Sequence, residues 1–277
     1  MISVIIPSYN RENKLIESIH SVLKQTYKDI EVIVVDDAST DNTEKAVRAI
    51  DDDRIRYFRQ NINLGACAAR NKGIELSRGE LVAFQDSDDI WRPEKLEKQL
   101  NFLTEHGSDM VYCGMDRIYK GKKEYFPKQN GDQITIEELL SGNKISTQTI
   151  LVRKVVAEDN KFDDKLRRFQ DWDFALRILE KSYKINYLKE SLVIARVGND
   201  SISITEDSEK AYLQLADKHF LYYKDYPQSY ADVCLKIAYR LRKSDRKKCR
   251  SYLIKSLQLK PSILTVIKLG LNLLHIW

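Results

Sequence analysis

The sequence predicts an α/β fold: an open sheet flanked by helices, followed by a helical C-terminal region. Two observations predict it. Through residue 115, short apolar, β-branched runs alternate with stretches of helical periodicity. From Glu206 onward only helical periodicity is present. With 277 residues the chain can bury one large α/β domain or two modest ones.

Residues 4–6 form the first strand and run into the polar stretch 7–11. Leu15, Ile16, Ile19, Val22 and Leu23 then recur at helical spacing. Residues 30–35 are a continuous apolar run, as in a parallel strand buried on both faces, and end at Asp36 and Asp37. A helix is expected over 40–50, a strand over 55–58, a helix over 66–76 after Gly65, and a strand over 81–84. That strand ends in the polar cluster 85–89. Pro93 sits where a first helical turn prefers proline, and its helix runs to residue 106.

This alternation makes an open parallel sheet the expected core. Ligands bind such sheets beyond the C-terminal ends of the strands. The polar clusters at 7–11, 36–40 and 85–89 all fall at such ends. The middle third changes character, with strands of mixed direction over 109–119 and 148–153 and a hairpin turn at 120–122. A helix over 171–181, a strand over 185–195 and a polar loop over 198–205 follow, then helices only, the last starting at Pro261.

The net charge of +5 conceals an asymmetry. Residues 236–260 hold ten Lys/Arg and one acid, a local +9 that leaves −4 for the remainder. A uniformly basic nucleic-acid binder is excluded by that split. A basic stretch beside apolar helical residues suits an anionic membrane surface, a solvated face or packing against a second subunit. No run approaches the 18 apolar residues of a transmembrane helix. The first ten residues lack a basic region and read as a strand, not a signal peptide. Cys67, Cys113, Cys234 and Cys249 show no paired spacing and read as buried thiols in a reducing cytoplasm.

Asp86-x-Asp88 after a buried strand supplies hard oxygen ligands for Mg²⁺ or Mn²⁺, which are held by one or two carboxylates plus substrate phosphates. The same spacing recurs at Asp51/Asp53 and Asp171/Asp173, and capping of the next helix by Asp88 or Asp89 is the bland alternative. Asp36 and Asp37 could accept from a nucleobase N–H or a ribose hydroxyl, or serve a turn. Arg70 could face a diphosphate with its planar fork, or pair with a nearby acid. Asp171 opens a helix, as an N-cap or as a general base near the cleft.

The ordered set resembles glycosyltransferase family 2, inverting enzymes of the GT-A fold. It comprises the stretch from Ser3 to Arg11, that from Val34 to Thr43, Asn63-x-Gly65 leading to Ala69-Arg70-Asn71, that from Gly79 to Asp89, and Gln170-Asp171-Trp172-Asp173. The resemblance covers residues 1–205, with a nucleotide-binding half over 1–115, an acceptor-binding half over 116–205 and a separate basic helical region over 206–277. It implies a nucleotide site of Pro7, Tyr9, Arg11, Asp37, Gly65, Arg70, Asp86 and Ser87. Asp37 would meet the base, Asp86 would lie near the ribose, and Asp88 with Asp86 would face a divalent metal, Mn²⁺ or Mg²⁺. Asp171 would be the catalytic base. The donor implied is a nucleotide-sugar, most often a UDP-sugar, and the acceptor a growing glycan or lipid-linked hydroxyl in cell-envelope polysaccharide synthesis. The implied location is cytoplasmic, with peripheral contact at the inner face of the membrane or a homodimer through the C-terminal helices.

Two positions depart from the family pattern. Gln170 stands where Glu is common. Gly198 stands where relatives place a His, so that ligand would be missing or replaced by Asn199, Asp200 or water. A non-catalytic sugar-nucleotide or glycan-binding protein is one competing reading. A nucleotidyltransferase is another, opposed by the lack of glycine between Pro7 and Arg11.

Overall fold

The computed structural model describes residues 1–129, 131–196 and 208–274. The expected loop over 198–205, including Gly198, Asn199 and Asp200, lies outside the described residues. The chain divides into two compact units. One contains residues 1–134, 144–165 and 170–199, and the other contains 135–143, 166–169 and 200–277.

The first unit is built on the sheet. Its strands are β1 (Ile2–Ser8), β2 (Ile30–Asp36), β3 (Ile55–Arg59), β4 (Leu81–Phe84), β5 (Ile90–Trp91), β6 (Met110–Tyr119), β7 (Lys122–Phe126), β8 (Ile150–Arg153) and β9 (Ile185–Arg196). Their order is β3-β2-β1-β4-β8-β6-β9-β5, with β7 paired to β6. The first four form the expected parallel block: β1 pairs in parallel with β2 and β4, and β2 with β3. Beyond β4 the sheet is mixed. β8 runs antiparallel to β4 and β6, whereas β6 and β9 are parallel. Every residue of β1, β2 and β4 is buried, which accounts for their near-continuous apolar sequence. Ser3 and Glu31 are buried polar residues within these strands, as Ser8 and Asp36 are at their ends. The Ser3 hydroxyl and the Arg78 N–H donate to Glu31 Oε1, each at 2.6 Å, and Arg56 pairs with Oε2 at 2.6 Å.

Six α-helices pack in this unit: α1 (Glu12–Leu23), α2 (Thr43–Arg48), α3 (Ala66–Leu76), α4 (Lys95–Glu105), α6 (Lys154–Asn160) and α7 (Gln170–Glu180). α1 buries Leu15, Ile19 and Val22, the periodic residues of the sequence. α3 lies so close to β1 that a Cβ on Gly73 would stand 2.3 Å from Ile5 Cγ2. α2 is shorter than expected, and α6 and β5 were not anticipated. The second unit contains α5 (Ile136–Ser141), α8 (Ser208–Lys218), α9 (Phe220–Asp225), α10 (Pro227–Leu241), α11 (Arg246–Leu259) and α12 (Ile263–Leu273). α5 starts with a capping box between Thr135 and Glu138. Val233, Cys234, Ile237 and Leu241 of α10 form its core with Cys249 and Leu253 of α11.

All four cysteines are buried free thiols, as expected. No helix among the described residues is long and apolar enough to cross a membrane.

A lysine is sealed within the first unit. Lys95 is fully buried, donates to Gln99 Oε1 at 2.7 Å, and lies 3.7 Å from the Trp91 ring centroid. Burial pushes its pKa down to about 8 from the ordinary 10.5. The unfolded chain therefore binds this proton more tightly, and stability rises as pH climbs from about 8 to about 10.5. The urea-unfolding free energy of wild type relative to Lys95→Met should shift toward wild type by up to about 3 kcal/mol between neutral pH and that upper limit.

Candidate active site

The loops at the C-terminal ends of β1 and β2 are stitched to each other. The Asp37 N–H donates to Ser8 O at 2.8 Å, the Asn10 N–H to Ser39 Oγ at 2.9 Å, and the Thr40 N–H to Asn10 Oδ1 at 2.7 Å. Asn10 and Ala38 hold positive φ angles of 50° and 64°, which turns both chains sharply at the strand ends. Pro7 is buried within β1, Tyr9 is exposed, and Arg11 is half-buried before α1.

Asp36 and Asp37 have separate duties. Asp36 Oδ1 accepts from the Ser39 N–H at 2.9 Å, and its Oδ2 accepts from the Tyr57 hydroxyl. Burial, reinforced by the Asp36 carboxylate, drives the Tyr57 pKa upward. Asp37 is buried and holds the next loop. Its Oδ1 accepts from Gln60 Nε2 at 2.6 Å and from the Leu64 N–H at 2.8 Å, and its Oδ2 accepts from the Gly65 N–H at 2.7 Å. Of roughly four acceptor positions on a carboxylate, one remains. Gly65 has φ +89°, the left-handed region that favours glycine, as the chain enters α3.

α3 carries the central cation. Arg70 is buried, donates to Asp86 Oδ1 at 2.7 Å, and lies 5.5 Å from the Phe162 ring centroid. Burial works against its charge, but the carboxylates of Asp86 and Asp171 and the Cys67 thiol outweigh it, and its pKa is raised. Its Nε has no hydrogen-bond partner among the described residues. Asn71 exchanges two 2.8 Å hydrogen bonds with the Phe162 backbone, which fixes that ring beneath the guanidinium.

Three carboxylates crowd the end of β4. Asp86 and Asp88 are half-buried, and Ser87 lies in the turn between them. Arg11 Nη1 reaches Asp88 Oδ2 at 3.3 Å. Burial and then the neighbouring Asp86 raise the Asp88 pKa, against Arg11 and Lys14. Asp89 is buried and accepts from the Arg196 N–H at 3.2 Å. Burial, Asp86 and Asp88 hold its pKa well above the ordinary range. Asp171 stands in the first turn of α7, its Oδ1 accepting from the Trp172 N–H at 2.8 Å, within electrostatic reach of Arg70. The other Asp-x-Asp spacings differ. Asp173 is fully buried and paired to Arg177 at 2.9 Å, and Asp51/Asp53 precede β3 rather than follow a strand.

The donor chemistry at Asp86 and Asp88 suits a hard divalent cation. Both are oxygen ligands, and their mutual repulsion is what such an ion relieves. Among the described residues no group of three or more His, Cys, Asp or Glu could enclose a metal, so phosphate or water oxygens would complete the coordination.

Arg117 on β6 was not singled out in the sequence. Its guanidinium stacks 3.7 Å from the Phe126 ring centroid. Burial lowers its pKa, against the carboxylates of Asp171, Glu124 and Asp89. It belongs to no local motif, and only the pairing of β6 with β7 and β9 places it there.

Comparison with known proteins gives the family and the fold. Residues 3–166 match the family model described as glycosyl transferase family 2. The chain is 33% identical over 210 residues to TuaG of Bacillus subtilis, named for teichuronic acid biosynthesis, covering 73% of this chain and 81% of that protein. It is 34% identical over 213 residues to WfgD of Escherichia coli, covering 76% of this chain and 81% of that one. WfgD is named a UDP-Glc:α-D-GlcNAc-diphosphoundecaprenol β-1,3-glucosyltransferase. The mannosyltransferase PcManGT of Pyrobaculum calidifontis, solved with GDP-Man and Mn²⁺, superposes with a TM-score of 0.67 at 18% identity, over 100% of this chain and 80% of that one. The chain belongs to glycosyl transferase family 2 and has the GT-A fold.

The role of Asp37 as a loop anchor is directly measurable. Asp37→Asn keeps the volume but replaces one acceptor oxygen with an NH₂ facing N–H donors. Loss of about 1–3 kcal/mol of stability is expected, with faster hydrogen exchange at the Leu64 and Gly65 amides, read by urea titration and exchange mass spectrometry.

Proposed function

We propose that this glycosyltransferase moves a hexosyl group from a UDP-sugar to a hydroxyl of a growing glycan or lipid-linked acceptor, with inversion, at the cytoplasmic face of the membrane. One observation carries the reading: Arg70 lies within reach of both Asp86, at the end of β4, and Asp171, at the start of α7. A donor-binding carboxylate and a candidate base thus share one cation. The names of the relatives support the donor and the acceptor class, since WfgD is named for a UDP-sugar and a diphosphoundecaprenol-linked acceptor.

Pro7, Tyr9, Arg11 and the loop from Gln60 to Gly65 would frame the nucleotide, with the remaining acceptor position of Asp37 open to a base N–H. Arg70 holds Asp86 in place, and Ser87 and Asp86 would meet the ribose. Asp88, with Asp86, would hold a divalent metal that offsets charge on the departing diphosphate. Asp171 takes the proton from the acceptor hydroxyl while that oxygen bonds to the anomeric carbon. The bond from that carbon to the diphosphate oxygen breaks, and the electron pair leaves with UDP. Attack opposite the leaving group inverts the configuration and needs no covalent enzyme nucleophile.

A panel of UDP-, GDP- and dTDP-sugars with Mn²⁺ tests the reading, with acceptor lipids extracted from cells. One UDP-sugar should be consumed. Asp171→Asn should lower kcat by about 10²–10⁴-fold while calorimetric UDP binding is retained. Asp88→Ala should lose the Mn²⁺-dependent part of UDP binding. Unchanged turnover in Asp171→Asn would remove the base assignment. Nucleotide binding without sugar consumption would make the protein a binding module, and pyrophosphate release from a nucleoside triphosphate would make it a nucleotidyltransferase.

A further inference from the structure

The last described helix is inverted. In α12 the buried side chains are polar: Thr265 is 2% exposed and Asn272 is 0%, with Asn272 Nδ2 donating to Cys249 Sγ at 3.5 Å. The outward side chains are aliphatic: Ile263, Leu264 and Leu274 are 82%, 67% and 68% exposed, and Val266, Ile267 and Leu273 are exposed as well. A helix on a water-facing surface turns its apolar stripe inward. Here five large aliphatic side chains of one short helix, with Leu274 at its C-cap, stand exposed, the kind of patch that marks a non-aqueous partner.

Charge decides which partner. From Arg246 to Leu274 there are seven Lys/Arg and no Asp or Glu. Lys247 and Lys248 are exposed on α11, Lys260 just after it is exposed and pairs with Asp232 at 3.3 Å, and Lys268 lies within α12. A second copy docking through the same face would bring a second block of seven positive charges against the first. An anionic surface instead meets the charge and accepts the aliphatic side chains. α12 has 11 residues, about 16 Å of helix, roughly half the hydrocarbon thickness of a bilayer. It can lie along a membrane but cannot cross one.

We propose that α11 and α12 form an interfacial anchor for anionic lipid, with α12 seated among the acyl chains and the lysines on the headgroups. The inference rests on this helical unit alone, independent of the donor and of Asp171.

The test is sedimentation of the full chain with phosphatidylcholine vesicles and with vesicles also containing phosphatidylglycerol. Binding to the anionic vesicles at low salt, weakened at high salt, is expected. Lys247→Glu with Lys248→Glu should reduce that partitioning by about tenfold or more. Ile267→Asp with Leu274→Asp should abolish it, while circular dichroism and UDP binding stay at wild-type values. Failure of the wild type to bind anionic vesicles at low salt overturns the proposal. So does unaltered binding in the Asp variant, provided it remains folded. A dimer in analytical ultracentrifugation that the same Asp pair dissolves, without vesicle binding, assigns the face to a second copy. Sugar-nucleotide turnover is measured separately, so failure of either proposal is distinguishable from failure of the other.

Discussion

Arg70 carries a charge that burial cannot remove, and the site is organised around it. A guanidinium stays protonated in any protein environment, so enclosing it requires carboxylates nearby. Asp86 meets it at 2.7 Å, Asp171 adds field from α7, and Phe162 supplies a ring face. Removing the cation would leave Asp86, Asp88 and Asp89 repelling one another at the end of one strand. The same cation ties three distant parts of the chain together: α3, the end of β4 and the start of α7. Asn71, the next residue, reinforces the arrangement by pinning the Phe162 backbone.

The neighbouring strand end is governed by hydrogen-bond satisfaction rather than by charge. Asp36 and Asp37 accept five hydrogen bonds between them, from Ser39, Tyr57, Gln60, Leu64 and Gly65. These bonds hold the loops after β2 and β3 before any ligand arrives. Such preorganisation lowers the ordering cost of binding, because the backbone around a nucleotide is already placed. Adjacent acids at a strand end therefore divide the work. One builds the turn, and the other anchors a loop and keeps a single acceptor position in reserve.

Much of the parallel half of the fold was legible because β1, β2 and β4 are buried on both faces and α1 shows an apolar period. β4 coincides with its expected range for that reason, and α3 with its own because Gly65 marks its start. The elements missed are those too short to carry a period. β5 has two residues, and α5 has six, although its Thr135–Glu138 capping box was a readable signal. α6 has seven residues and contains the β-branched Val155 and Val156, which lower its helical propensity. At the site, the positions of Arg70, Asp86, Asp88 and Asp171 were legible as a motif set, but the partners of Asp37 were not. Two of its three bonds come from backbone N–H groups, which leave no mark on a side-chain pattern. Arg117 was hidden for a related reason, since strand pairing alone brings β6 toward α7.

Charge balance explains why the proposed reaction asks for a divalent cation. Arg70 is already engaged with Asp86, and Arg11 is paired with Asp88. A nucleotide diphosphate would bring at least two further negative charges toward Asp86, Asp88 and Asp89. Burial first, and then the neighbouring carboxylates, raise the pKa values of Asp88 and Asp89, so negative charge at this strand end is costly to hold. Protonating those carboxylates would relieve the repulsion but would also remove the ligands that orient the diphosphate. A divalent cation held by Asp88 and Asp86 would relieve the repulsion and keep their oxygens as ligands. The donor's own phosphates would then complete a coordination shell that the described residues supply only in part, and metal and nucleotide would bind as a unit.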